Sequence, residues 1–122
     1  MPKKILVIED DEQILQTTRH ILELRGYFIS TASDGEAGLQ KVKQEVPDLV
    51  ILDLGLPKIT GQEVCKEIKR MEETKNIPVI IVTARNTDAD KIIGKVIGAD
   101  VYITKPFLFK ELLENITAVF KE

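Results

Sequence analysis

Leu49-Val50-Ile51-Leu52-Asp53 sets four apolar residues in a row and then an acid. A strand with one wet face alternates apolar and polar residues. An unbroken run of this length, rich in Val and Ile, is what a strand covered on both faces shows. Ile5–Ile8 and Val79–Val82 repeat the pattern, and Val101–Ile103 is a shorter version. Tyr27–Ile29 is weaker and runs into Ser30 and Thr31, which reads as an edge strand.

Helical spacing fills the intervals. Ile14, Leu15, Thr18, Ile21 and Leu22 form one stripe, with Gly26 as its stop. Asp34 is placed to cap a helix through Lys43, ahead of Pro47. Val64, Cys65, Ile68 and Met71 mark a third helix. Thr87 and Asp90 have capping-box spacing before Ile92, Ile93, Val96 and Ile97, with Gly98 as the stop. Gly94 inside that stripe predicts a weak point, about 1 kcal/mol poorer than Ala. Leu112, Leu113, Ile116, Val119 and Phe120 form the last stripe. Five strand–helix alternations imply an α/β sandwich on a parallel sheet. With the second strand at the edge, the expected fold is a flavodoxin-like doubly wound sheet, order 2-1-3-4-5, with five helices.

Composition narrows the chemistry. The chain has 122 residues, one domain's worth, so residues 1–122 are read as a single domain. Lys and Arg total 17 against 20 Asp and Glu, a formal charge of −3, which argues against direct nucleic-acid binding. The lone Cys65 allows no internal disulfide and reads as a small core residue. The lone His20 reads as solvent-facing. Ile5–Ile8 is too short for a signal peptide or a membrane span, so a cytoplasmic setting is expected, with no membrane partner. Gly35 and Gly38 do not follow a strand in dinucleotide-binding register, and there is no phosphate-binding G-x-x-x-x-G-K-[ST] run.

Ligands of such sheets bind beyond the carboxyl ends of the strands, at the switch point between strands 1 and 3. The chain places Glu9-Asp10-Asp11 after the first run, Asp53 after the third, Thr83-Ala84 at the end of the fourth and Lys105-Pro106 after the fifth. Each has an ordinary alternative: a solvated acidic turn, a helix cap, a structural threonine, a surface lysine. Their coincidence at one end of the sheet favours a common site. Crowded carboxylates resist ionising unless neutralised, and Mg2+ (or Mn2+), an oxygen-seeking cation, meets that need. With an ammonium and a hydroxyl added, the set suits a phosphoryl group, and Asp53 is the candidate nucleophile.

In these residues the chain resembles bacterial two-component response-regulator receiver domains. The resemblance rests on Val7-Ile8-Glu9-Asp10-Asp11, Asp53-Leu54-Gly55-Leu56-Pro57 with Gly61, Thr83-Ala84, Tyr102 and Lys105-Pro106-Phe107. It implies that Asp53 accepts a phosphoryl group from a sensor histidine kinase or phosphotransfer protein. It implies that Asp10, Asp53 and the Gly55 carbonyl hold Mg2+, with Glu9 acting through water. Lys105, Thr83 and Ala84 are then the phosphoryl-binding positions, Tyr102 the switch aromatic and Lys105–Pro106 a cis peptide. The output surface is the fourth helix, fifth strand and fifth helix, read by a downstream effector domain or protein, with homodimers forming on phosphorylation. Glu9 stands where Asp is commoner, and Gly55 where a larger residue is usual, which opens the site to water. The reading is a signalling switch, not a turnover enzyme. A haloacid-dehalogenase-like phosphatase is the alternative from another class, but Gly55 occupies the place of its second acid. A degenerate receiver that only binds partners is a third.

Overall fold

The computed structural model describes residues 2–121. Five parallel strands alternate with five helices: β1 Lys4–Ile8, α1 Glu12–Leu24, β2 Phe28–Ala32, α2 Gly35–Glu45, β3 Leu49–Leu52, α3 Gly61–Arg70, β4 Val79–Thr83, α4 Asp88–Val96, β5 Val101–Thr104 and α5 Phe109–Phe120. The sheet order is β2-β1-β3-β4-β5, as expected.

Side-chain alternation along the strands divides the interior in two. Leu6, Ile8, Val50, Leu52, Val79 and Ile81 face α2 and α3, meeting Leu39, Val42, Val64, Cys65 and Ile68. Ile5, Val7, Leu49, Ile51, Ile80 and Val82 face α1 and α5, meeting Leu15, Leu22, Leu112 and Ile116. Burying each such aliphatic side chain contributes roughly 1.5–3 kcal/mol, which is why the runs at β1, β3 and β4 carry no polar residue until they end. Cys65 is fully buried and His20 exposed, both as expected.

The helix ends follow local chemistry. Asp11, Asp34 and Thr60 each accept a hydrogen bond from the backbone three residues on. Thr87 and Asp90 form the reciprocal capping box. Gly26 and Gly98 take positive φ at the ends of α1 and α4. The second strand departs from its sequence reading: it begins at Phe28 and runs through Ser30 and Thr31 to Ala32. Pairing with β1, from Lys4–Phe28 to Ile8–Ala32, sustains it past its apolar part.

The fourth helix requires two corrections. Ile92, Ile93 and Val96 do not pack inward; they are 62, 42 and 79 % exposed, and only Ile97 of that stripe is buried. The helix docks instead on its Gly94 side, where the Tyr102 ring lies so close that a Cβ at 94 would come within 2.7 Å of it. Ile92 and Val96 therefore fall on the far side of the helix. Gly94 is thus a site of close approach rather than a weak point.

Candidate functional site

The register brings the strand ends level. Ile8 pairs with Leu52, and Leu52 with Ile81, so the residues that follow them emerge at one end of the sheet. The Asp53 N–H donates to the Ile8 carbonyl at 3.2 Å, and the Lys105 N–H to the Thr83 carbonyl at 2.7 Å. The peptide bond between Lys105 and Pro106 is cis.

Lys105 Nζ donates to Glu9 Oε1 at 2.7 Å and to Asp53 Oδ2 at 2.9 Å. Glu9 Oε2 accepts from the Asp11 N–H, and Asp53 Oδ1 from the Gly55 N–H, each at 3.1 Å. Glu9, Asp10 and Asp53 each offer an oxygen within 4.8 Å of the others. Asp11, the third acid of the opening run, caps α1 instead.

The charges are strongly coupled. Burial pushes the Glu9 carboxyl above its usual range, and the Asp53 charge adds to the rise. Hydrogen bonds from Lys105 and the Asp11 N–H offset only part of it. For Lys105, burial acts to lower the ammonium's pKa, but the bonds to Glu9 and Asp53 outweigh it and the net shift is upward. Three carboxylates, Glu9 buried and Asp10 exposed at the edge, against one ammonium leave a formal charge of −2. The available donors are oxygens throughout. That set fits a hard divalent cation, which takes carboxylate and carbonyl oxygens and retains waters.

Thr83 is buried at the end of β4, and its Oγ1 accepts from the Arg85 N–H at 3.4 Å. Ala84 is exposed beside it. Tyr102 lies on the neighbouring strand β5, half-buried, with its hydroxyl donating to the Arg85 carbonyl at 2.8 Å. Thr83 and Tyr102 thus meet at Arg85, one through its N–H and the other through its carbonyl. A Cβ placed on Gly55 would meet only Asp53 Oδ1, at 3.9 Å, so the space above the acid is open on that side. A groove of about 540 Å³ adjoins the site, lined by Gln13, Ile14 and Thr17 of α1 and by Ala84, Lys105 and Phe107 among others.

Two features escaped the sequence reading. The direct Glu9–Lys105 contact joins residues 96 apart, and no local signal announces it. The close approaches of Gly35 and Gly61 to the turn after β3 were also missed; a glycine opening each of two helices, where a better helix former would serve, was the available clue.

This combination of sheet, acids and bridging lysine defines a class, and comparison with known proteins agrees. The family model for the response regulator receiver domain matches residues 5–117, and the chain belongs to that family. It is the receiver domain of a two-component response regulator, a module of phosphorylation-dependent signalling. Among individual relatives, it is 42% identical over 121 residues to the alkaline phosphatase synthesis transcriptional regulatory protein PhoP of Bacillus subtilis, covering 99% of this chain and 50% of that protein. It is 34% identical to the response regulator MprA of Mycolicibacterium vanbaalenii, again 99% of this chain and 52% of that one. The chain therefore spans about half the length of these curated relatives. Among solved structures, the chemotaxis protein CheY4 of Vibrio cholerae superposes with a TM-score of 0.92 at 31% identity, covering 98% of this chain and 100% of that one. A CheY-like receiver domain protein of Methanospirillum hungatei gives 0.91 at 32% identity, covering 97% and 93%. Among the described residues, no helix is long and apolar enough to cross a membrane.

Proposed function

We propose that Asp53 is the phosphoacceptor of this receiver and that residues 1–122 act as one signalling unit in the cytoplasm. The observation that carries the reading is the Lys105 ammonium bridging Glu9 and Asp53 beside a third carboxylate, Asp10. Asp10, Asp53 and the Gly55 carbonyl, with Glu9 beside them, would hold Mg2+. Bound Mg2+ supplies positive charge to the oxygens of an incoming phosphoryl group.

The protein's own groups account for the rest. An Asp53 oxygen attacks the phosphorus of a phosphohistidine on a sensor kinase or phosphotransfer protein. The P–N bond breaks, its electron pair leaves with the imidazole, and an acyl phosphate forms on Asp53. Lys105 follows the new negative charge from the carboxylate to the phosphoryl oxygens. Thr83 donates its hydroxyl to one of those oxygens, and the Ala84 N–H lies next in the chain to share that task.

The phosphoryl group carries about −1.5 to −2 charges where the Asp53 carboxylate carried one, a net gain of about −0.5 to −1 at a site that already carries a surplus of acids. Thr83 moves toward the phosphoryl group, the loop through Arg85 moves with it, and Tyr102 turns inward. The shift biases the surface of α4, β5 and α5, where Ile92, Ile93 and Val96 are exposed and free to contact an effector or a second copy of the chain. PhoP, a transcriptional regulatory protein, supports an effector of that type.

Radiolabelled acetyl phosphate with Mg2+ tests the assignment. The chain takes up label, and Asp53→Asn takes up none. Full uptake by that variant overturns the role given to Asp53.

A further inference from the structure

The turn after β3 carries the acid and the carbonyl on which the proposed site depends, and it is held at more than its ends. At its start the Gly55 N–H donates to Asp53 Oδ1. At its close the Gly61 N–H donates to the Leu54 carbonyl at 3.0 Å, and a Cβ on Gly61 would lie 2.0 Å from the Asp53 carbonyl oxygen. Its middle is braced from a separate element. The Gly35 N–H, in the first turn of α2, donates to the Pro57 carbonyl at 3.2 Å. A Cβ on Gly35 would fall 1.9 Å from the Ile59 carbonyl oxygen. Lys58, held at φ +69°, reaches Asp34 at 3.6 Å and Glu36 at 3.9 Å.

The brace is a firm one. Asp34 caps α2 through the Ala37 N–H at 2.7 Å, and Leu39 and Val42 anchor the helix in the core. Gly35 has no left-handed φ to explain it, and glycine is a poor helix former. Close approach of two backbones is the remaining physical reason, because even a methyl group would collide with main-chain atoms that cannot rotate away.

We infer that Gly35 is a positioning residue for the acidic site. The bare first turn of α2 fixes residues 57–61, and these fix the backbone at 53–55 that presents Asp53 and the Gly55 carbonyl. The inference rests on the metal and phosphoryl role proposed for that site.

A Mg2+ titration of the 15N-labelled chain, followed through backbone amide shifts, tests it. The Gly35 and Ile59 amides move with the same midpoint as Gly55, while Gly26 at the far end of α1 stays still. Gly35→Ala raises the Mg2+ midpoint at Gly55 by about 10-fold or more, the usual effect of removing an outer support of a metal site. Gly38→Ala on the same helix is the control for a purely structural loss. Its methyl meets the Ile8 side chain, 2.5 Å from its flexible end, and leaves the midpoint unchanged. An unchanged midpoint in Gly35→Ala, or an equal rise in Gly38→Ala, overturns the inference. If Gly35→Ala does not fold, the unsubstituted chain decides: a Gly35 amide that stays still at saturation overturns it. A Gly55 amide that never responds to Mg2+ overturns the metal reading itself, a separate and recognisable result.

Discussion

Replacing Lys105 with Met probes the electrostatics of the site without a phosphoryl donor. The ammonium lies 2.7 Å from Glu9 and 2.9 Å from Asp53, and the three side chains are 17, 6 and 11 % exposed. Met keeps most of the stem's volume, so the change is mainly the loss of charge and of two hydrogen bonds. Removing one member of a buried pair usually costs about 3–5 kcal/mol, because the partner is left charged and desolvated. Asp10 lies at the solvent edge and water can reach the site, which lowers the expected cost to about 2–4 kcal/mol at pH 8. At ~2.1 cal/mol/K per residue, a 3 kcal/mol loss corresponds to a fall in Tm of roughly 12 °C.

The pH dependence has a definite sign. Burial already raises the Glu9 carboxyl, and losing Lys105 removes influences that hold it down. A carboxyl raised in the folded state binds more protons there than in the unfolded chain. Its contribution to stability is complete below the unfolded value of 4.5 and is lost as pH rises through the folded one. The deficit of Lys105→Met is therefore largest near pH 8 and shrinks as pH falls toward 5. Urea unfolding followed by circular dichroism, with EDTA present, measures it, and added Mg2+ recovers part of the loss at pH 8. Equal stability of the two proteins at pH 8, or a deficit that stays flat down to pH 5, refutes the reasoning.

Two further outcomes concern single positions. Gly55→Met fills the open space above Asp53 and lengthens the half-life of the acyl phosphate, read as slower loss of radiolabel; unchanged decay shows that water does not enter on that side. Burial pushes the Cys65 thiol up to about 11, with Sγ against the Ile97 carbonyl at 3.6 Å, so an aromatic disulfide reagent at pH 8 reacts rapidly only after urea unfolding. Rapid stoichiometric reaction of the folded chain contradicts that environment.

The strands at 5–8, 49–52 and 79–82 were legible because two-sided burial forbids polar residues within them, a constraint written in adjacent positions. The Asp34 cap and the Thr87–Asp90 capping box were legible for the same reason, since their partners lie three residues away. The α4 stripe misled because hydrophobic periodicity identifies a face without saying what covers it. Here the Tyr102 ring takes the Gly94 side and leaves Ile92 and Val96 in water. Residues 30–32 misled in the other direction, since pairing with β1 extends a strand that its own composition would have ended at Ile29.

The positions of Glu9, Asp53, Thr83 and Lys105 at strand ends could be deduced from alternating elements and the rule that ligands gather at the carboxyl edge. Which oxygen meets which nitrogen could not. The Glu9–Lys105 contact and the support of the Asp53 turn by Gly35 depend on segments remote in sequence meeting at hydrogen-bond distance. Periodicity and capping arise from neighbours along the chain and survive in any fold that uses the helix or strand. Contacts across the sheet exist only after the packing of both faces has set the register.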